Sequence, residues 1–145
     1  ILFYQNTLLA EIFKIESSEI KIIEKGNITK ATNGVRITSD DGVEIIAKDL
    51  IYNKQKSILK VFGNVSISDK KNNILTEGEE YIYFKNEEKI LSIGKTKSNL
   101  RNTYYLESED LVYKRNLSEI YSDKKTKIED SQNNIFFTTY KLFTL

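Results

Sequence analysis

The sequence predicts an all-β fold, a jelly-roll-like or solenoidal stack of two facing sheets built from two-strand repeats of about thirty residues, from three observations. The chain repeats itself every thirty residues or so. Each repeat carries two stretches of strand-like alternation separated by polar turns. Its apolar residues are almost all Ile, Leu, Val, Tyr and Phe, with no Trp, Met or Cys, and there is no Pro to interrupt a sheet ladder.

The repeats run Val43 to Asn73, Ile74 to Thr103 and Tyr104 to Asn134, and a fourth begins at Ile135 and stops in mid-unit. An aromatic ladder fixes the register: Tyr52, Tyr83, Tyr113 and Phe143 follow one another at steps of 31, 30 and 30 residues. Before each tyrosine comes a small residue, then acids, then apolar and β-branched residues: Ala47-Lys-Asp-Leu-Ile-Tyr52, Gly78-Glu-Glu-Tyr-Ile-Tyr83 and Ser108-Glu-Asp-Leu-Val-Tyr113. Gly63 and Gly94 hold one position in two copies, where the third has Lys124; Val65, Thr96 and Thr126 follow two residues later. Gly26-Asn-Ile28 echoes Gly63-Asn-Val65 and suggests a degraded earlier copy.

Within a unit the first strand is expected over Val43 to Tyr52, a turn over Asn53 to Ser57, a second strand over Ile58 to Ser68 and a turn over Asp69 to Asn73. In the second strand Leu59, Val61, Gly63, Val65 and Ile67 share one face. In the first, Ile45 and Ala47 are offset by one from Leu50 and Tyr52, which predicts a bulge at Lys48-Asp49. Stacking such units gives a narrow apolar interior and two open ends that can pair with another chain's strand. Residues 11–145 are read as a single domain. The run Ile1 to Ala10 fits equally the tail of a signal peptide cleaved after Ala10 and a first strand.

Composition narrows the function. The absence of His and Cys removes the usual general base, thiolate nucleophile and most metal sites, and without His a conventional triad cannot be built. No phosphate-loop glycine pattern and no calcium loop is present. A net charge of +1 with 30% charged residues gives no basic excess for nucleic acid. The acid pairs Asp40-Asp41, Glu79-Glu80 and Glu109-Asp110 suit turns and bends better than a glycosidase or calcium site. Lysine-rich turns such as Asp123 to Lys127 read as solvated, edge-protecting surface, and the repeated tyrosines as a packed ladder. The chain is read as a non-enzyme with no cofactor and no metal.

The string Ala47 to Tyr52, its polar turn, and Ile58-Leu-Lys-Val-Phe-Gly-Asn-Val-Ser-Ile67 resemble the OstA-like domain of the lipopolysaccharide transport proteins. The likeness covers about Glu19 to Leu145. It weakens in the second copy, where Gly94-Lys-Thr96 replaces Gly-Asn-Val, and in the third, which lacks the glycine. The resemblance implies a V-shaped jelly roll in the periplasm, with attachment to the outer membrane as a further option. It implies lipopolysaccharide as ligand, acyl chains inside and sugars outside, and other jelly-roll transport proteins joined edge to edge. Membrane contact is expected only through a C-terminal barrel or a partner. Among members, the periplasmic N-terminal domain of the outer-membrane assembly protein is expected first and the free-standing periplasmic carrier next. The inward residues expected to meet acyl chains are Ile45, Ala47, Leu50, Tyr52, Leu59, Val61, Val65, Ile67, Tyr83, Ile90, Leu106, Leu111, Tyr113 and Ile120. Two other readings stay open: a structural β-solenoid with a dry interior, and a carbohydrate-binding module using exposed tyrosines.

Overall fold

The computed structural model describes residues 13–139 and 143–144. The expectation for residues 1–10 lies outside them. Strands are β1 (Phe13–Ile23), β2 (Ile28–Ser39), β3 (Val43–Ala47), β4 (Asp49–Asn53), β5 (Ile58–Asp69), β6 (Ile74–Phe84), β7 (Lys89–Leu100), β8 (Tyr104–Glu109), β9 (Val112–Lys114), β10 (Glu119–Tyr121), β11 (Thr126–Asp130), β12 (Ile135–Thr139) and β13 (Phe143–Thr144). All pair antiparallel in one sheet. The strand and turn boundaries expected for the first repeat are met within a residue.

The facing sheets are two halves of that one sheet. Among the described residues β1 to β11, singly or as pairs in line, are bent, bulged or interrupted at the same level. β2 turns at Asn33 and Gly34 (φ 62° and 94°), β5 at Gly63 and Asn64 (φ 78° and 46°), and β7 at Gly94 (φ 81°). The expected bulge is a complete break at Lys48, whose N–H donates to the carbonyls of Phe62 and Gly63 at 3.0 Å each. Register shifts fall at the same level, between Ser17 and Glu19, Phe62 and Val65, and Gly78 and Glu80. One side of this seam holds the start of β2, β4, the start of β5, the end of β6, the start of β7, β9 and β10 (the first half-sheet). The other holds the end of β2, β3, the end of β5, the start of β6, the end of β7, β8, β11 and β12 (the second half-sheet).

Two devices carry a strand across the seam whole: in β1 a bulge at Ser17 to Glu19, and in four others a glycine. β2, β5, β6 and β7 carry Gly34, Gly63, Gly78 and Gly94 there and run through. The chain divides into β3 and β4 at Lys48, β8 and β9 at Asp110, and β10 and β11 around Lys124. At Gly34, Gly63 and Gly94 a residue without a Cβ turns into the left-handed region at little cost, and at Gly78 it leaves room for the Lys95 carbonyl and the Tyr81 ring, which a Cβ would meet at 3.1 and 3.2 Å. This corrects the proposed early copy. Gly26 lies in a short 3-10 turn, Glu24–Gly26; the glycine equivalent to Gly63 is Gly34.

The repeated acids have a local purpose at two of the bends. The Asp49 carboxylate accepts from the Asn33 N–H at 3.4 Å, and Asp110 from the Gly94 N–H at 2.8 Å. They satisfy amides that the kinked ladder leaves free. The turns at the far edge repeat too: Asn72 donates to Asp69 and Asn133 to Asp130, at 2.8 and 2.9 Å.

The two seam glycines differ in one respect. A Cβ on Gly63 would lie 2.8 Å from Lys48 Cβ, while one on Gly94 would meet nothing within 4 Å. Gly63→Ala is expected to lose about 2–3 kcal/mol, from the left-handed conformation plus the clash, and Gly94→Ala about 1 kcal/mol. Urea unfolding of both variants checks the order.

Candidate functional site

The aromatic ladder is a single cross-strand row. Tyr52, Leu59, Tyr83, Ile90, Tyr113, Ile120 and Phe143 are successive register partners across the first half-sheet. Tyr52, Tyr83 and Tyr113 are at most 7% exposed, so the packed-ladder reading holds for all three. Beside it runs Ala31, Leu50, Val61 and Tyr81, and the second half-sheet faces both rows with Ile37, Ile45 and Ile67.

All fourteen residues expected to face inward do so, and all belong to one apolar cluster. The reading from sequence missed several of its members: Phe13, Ala31, Val35, Ile37, Val43, Ile74, Tyr81, Leu100 and Ile128. Tyr81 was within reach, since period two from Tyr83 places both inside. Phe13 joins the row from the opposite half, with ring centroids 5.3 Å from Tyr52 and 5.6 Å from Tyr83.

The interior is not uniformly apolar. Along the second half-sheet the row Ile37, Ile45, Ile67 continues as Thr76 and Ser98, then Leu106 and Ile128. Nearer the seam, Val35, Ala47 and Val65 give way to Gly78, Thr96, Ser108 and Thr126. These hydroxyls are paired: Ser98 donates to Thr76, Thr76 bonds Tyr81 and Ser108 bonds Thr126, each at 2.8 Å. Burial lifts the Tyr81 phenol to about 12, so it stays protonated. Among the described residues no buried side-chain nitrogen or oxygen lacks a partner.

Opposite the seam, the mouth between the halves is closed by charge. Arg115, from the 3-10 turn Arg115–Leu117 of the first half, has a side chain only 4% exposed. It donates through Nε to Asp69 at 2.8 Å and through Nη1 to Asp41 at 2.7 Å, both on the second half. It also donates to the Tyr83 hydroxyl at 2.8 Å and contacts Glu88. Tyr113 donates to Asp69 at 2.9 Å, and Lys85 bridges Asp41 and Glu88 at 2.8 Å each. Five charges, two positive and three negative, thus join the two halves.

The titration of these groups reports their balance. Burial pushes the carboxyls of Asp41 and Asp69 up, but hydrogen bonds outweigh it and hold both below the usual carboxylate range. For Asp41 the donors are Lys85, Ser39 and Arg115; for Asp69 they are Arg115, Asn72 and Tyr113. Burial disfavours the charged form of Arg115, and its bonds to Asp69 and Asp41 reverse that. The Tyr83 and Tyr113 phenols are raised, chiefly by burial. The lysine-rich turns such as Asp123 to Lys127 are expected to be solvated surface; Lys85 and Arg115, on other turns, are drawn in because the turn bearing each folds over the mouth.

The inner rows also reach solvent. At the edge strand β1 the inner rows continue as Ile20, opposite Ala31, and Ile22, opposite Thr29. There they are 45% and 65% exposed.

With this geometry, the chain belongs to the class of β-jelly-roll proteins whose sheet folds over an apolar interior. It is a member of the OstA-like protein family, whose pattern it matches over residues 11–135. Among solved structures it is similar to LptH, the LptA-homologous periplasmic component of the lipopolysaccharide transport device of Pseudomonas aeruginosa, with a TM-score of 0.62 and 11% identity over 89% of this chain and 94% of that one. That likeness shows a shared fold. No curated protein matches the sequence.

Replacing Arg115 with Met leaves Asp69 buried without its cation, held by Tyr113 and Asn72 alone, an expected loss of about 3–5 kcal/mol at neutral pH. The acid response is also expected to shrink. In the native protein Asp41 and Asp69 have lowered folded pKa values, so their stabilisation is full above the unfolded value near 3.9 and is lost as pH falls below it. In the variant Asp69 keeps its bonds from Tyr113 and Asn72 but loses the cation, so its folded pKa rises towards the unfolded value and less stability is lost as pH falls below about 4. Urea midpoints from pH 3 to 7 for both proteins check this. Parallel curves would show that the cluster does not govern the acid response.

Proposed function

We propose that the chain binds the acyl chains of lipopolysaccharide in its interior and passes the lipid across the periplasm as one unit of a jelly-roll bridge. The observation that carries this reading is the inner apolar row Val61, Leu50, Ala31 running from the core out to exposed Ile20, with exposed Ile22 beside it beyond Thr29. Such a row offers an acyl chain contact at the rim and continuous contact further in. Family membership and the LptH-like fold support the assignment. Among the described residues β1 and β12 are each paired on one side along the main path of the sheet. These edges suit the addition of a neighbour's strand.

Magnitudes favour entry. An acyl chain of about twelve methylenes gains about 10 kcal/mol on leaving water, at roughly 0.8 kcal/mol per group. Undoing a buried ion cluster costs less than breaking it by mutation, because both sets of charges regain water as they separate. The two halves therefore part at the Arg115 mouth and stay joined at the seam. A carrier of this kind stabilises its ligand without transforming it. The fourteen inward residues would each serve twice, packing on one another when empty and on the acyl chain when loaded.

Photo-crosslinking from single interior and exterior positions tests the proposal. Lipopolysaccharide is expected on residues placed at Val61 and Leu111 and not at outward Lys60. A folded protein silent at every interior position would instead be a dry structural roll.

A further inference from the structure

The outer face of the second half-sheet carries a second feature, separate from the interior. Glu77 on β6, Lys97 on β7, Glu107 on β8 and Lys127 on β11 are successive register partners, so charge alternates strand by strand. These four residues lie in a groove of about 870 Å³. A second groove of about 340 Å³ shares Glu107 and Lys127 with the first and extends it to Tyr105 and Phe136. Those two rings flank Glu129 in the neighbouring row and are 42% and 69% exposed.

The charges in this groove are not spent on one another. At the other end of the same outer face, Lys14 pairs with Glu16 at 3.0 Å and Arg36 with Glu44 at 3.2 Å. Among the described residues no such ion pair joins Glu77, Lys97, Glu107 or Lys127, although the register makes them neighbours. Paired charges are the ordinary state of a solvated sheet face; here carboxylates and ammonium groups line a trough with their capacity left over.

The pattern selects among ligands. A polyphosphate or nucleic acid meets a glutamate at every second strand, which repels it. An acyl chain would lie against the ends of four glutamates and four lysines and would cost them water. A sugar hydroxyl both donates and accepts, so it satisfies Glu and Lys in turn. Exposed aromatic rings at one end give the apolar face of a pyranose a stacking surface. At about 4.8 Å per strand, the five strands from β6 to β12 span roughly 19 Å, room for a short oligosaccharide. We propose that this outer groove is an oligosaccharide-binding site, with Tyr105 and Phe136 as its stacking end and the Glu77–Lys97–Glu107–Lys127 row as its hydrogen-bonding floor. It stands on the outer geometry and does not depend on acyl chains entering the interior.

The test uses saccharides without acyl chains, so it is blind to the interior. The ¹⁵N-labelled protein is titrated with the core oligosaccharide freed from lipopolysaccharide by mild acid, and separately with laminarihexaose as a neutral glucan. Saturable amide shifts confined to β6, β7, β8, β11 and β12 with either probe are expected. Binding should weaken about ten-fold, or about 1.4 kcal/mol, in Phe136→Ala and in Lys127→Gln. Both replacements are solvent-facing, and circular dichroism verifies the fold. No saturable shift with either probe at millimolar concentration overturns the proposal. So do shifts mapping to the interior or to β1, or binding that both variants leave intact.

Discussion

Everything in this molecule follows from a backbone that must bend, bulge or break at the same level from β1 to β11. A sheet of this many strands with one apolar face cannot stay flat in water. Here it folds along a line where left-handed or bulged residues stack from β1 to the β10–β11 break. The fold brings the tyrosine row of one half against the isoleucine row of the other. Because the same strands serve both halves, they are joined covalently at the seam, and the opposite side is left as the place where they can separate.

That opposite side is held differently. A buried ion cluster is expensive to desolvate and adds little net stability compared with apolar packing. Its value lies in direction and reversibility. Arg115 reaches two carboxylates of the other half through bonds of 2.7 and 2.8 Å, which fixes how the halves meet, and its members regain solvation if they part. Apolar side chains across the mouth would close it as firmly but resist opening in water. Phe13 provides such a contact near β1, where the inner rows already reach solvent at Ile20 and Ile22.

The strands, their turns and the inward face were legible because each has a local signature: alternation, Asx turns, a tyrosine in constant register. The break at Lys48 was legible from a change of parity. The early copy was misplaced because Gly26-Asn-Ile28 matches Gly63-Asn-Val65 in letters but sits in a turn; only strand pairing shows that Gly34 occupies the seam. The Arg115 cluster has no sequence signature. Its partners Asp41 and Asp69 lie 74 and 46 residues away, and a single arginine in a polar turn looks like many solvated ones. The hydroxyl belt was half visible in the series Val65, Thr96, Thr126, whose change from apolar to polar marks where the interior changes character.

The central claim is that lipid enters by parting the halves at the Arg115 mouth while the seam holds. The chain has no cysteine, so spin labels can be placed at two introduced thiols alone. Exposed Lys70 and Asn86 lie on the turns of the second and first halves that flank the cluster. Pulsed electron–electron distances between labels at Lys70→Cys and Asn86→Cys should show one short population in the free protein. A longer population should grow with added lipopolysaccharide. An unchanged distance, with lipopolysaccharide crosslinked at Val61 in the same sample, would contradict this account.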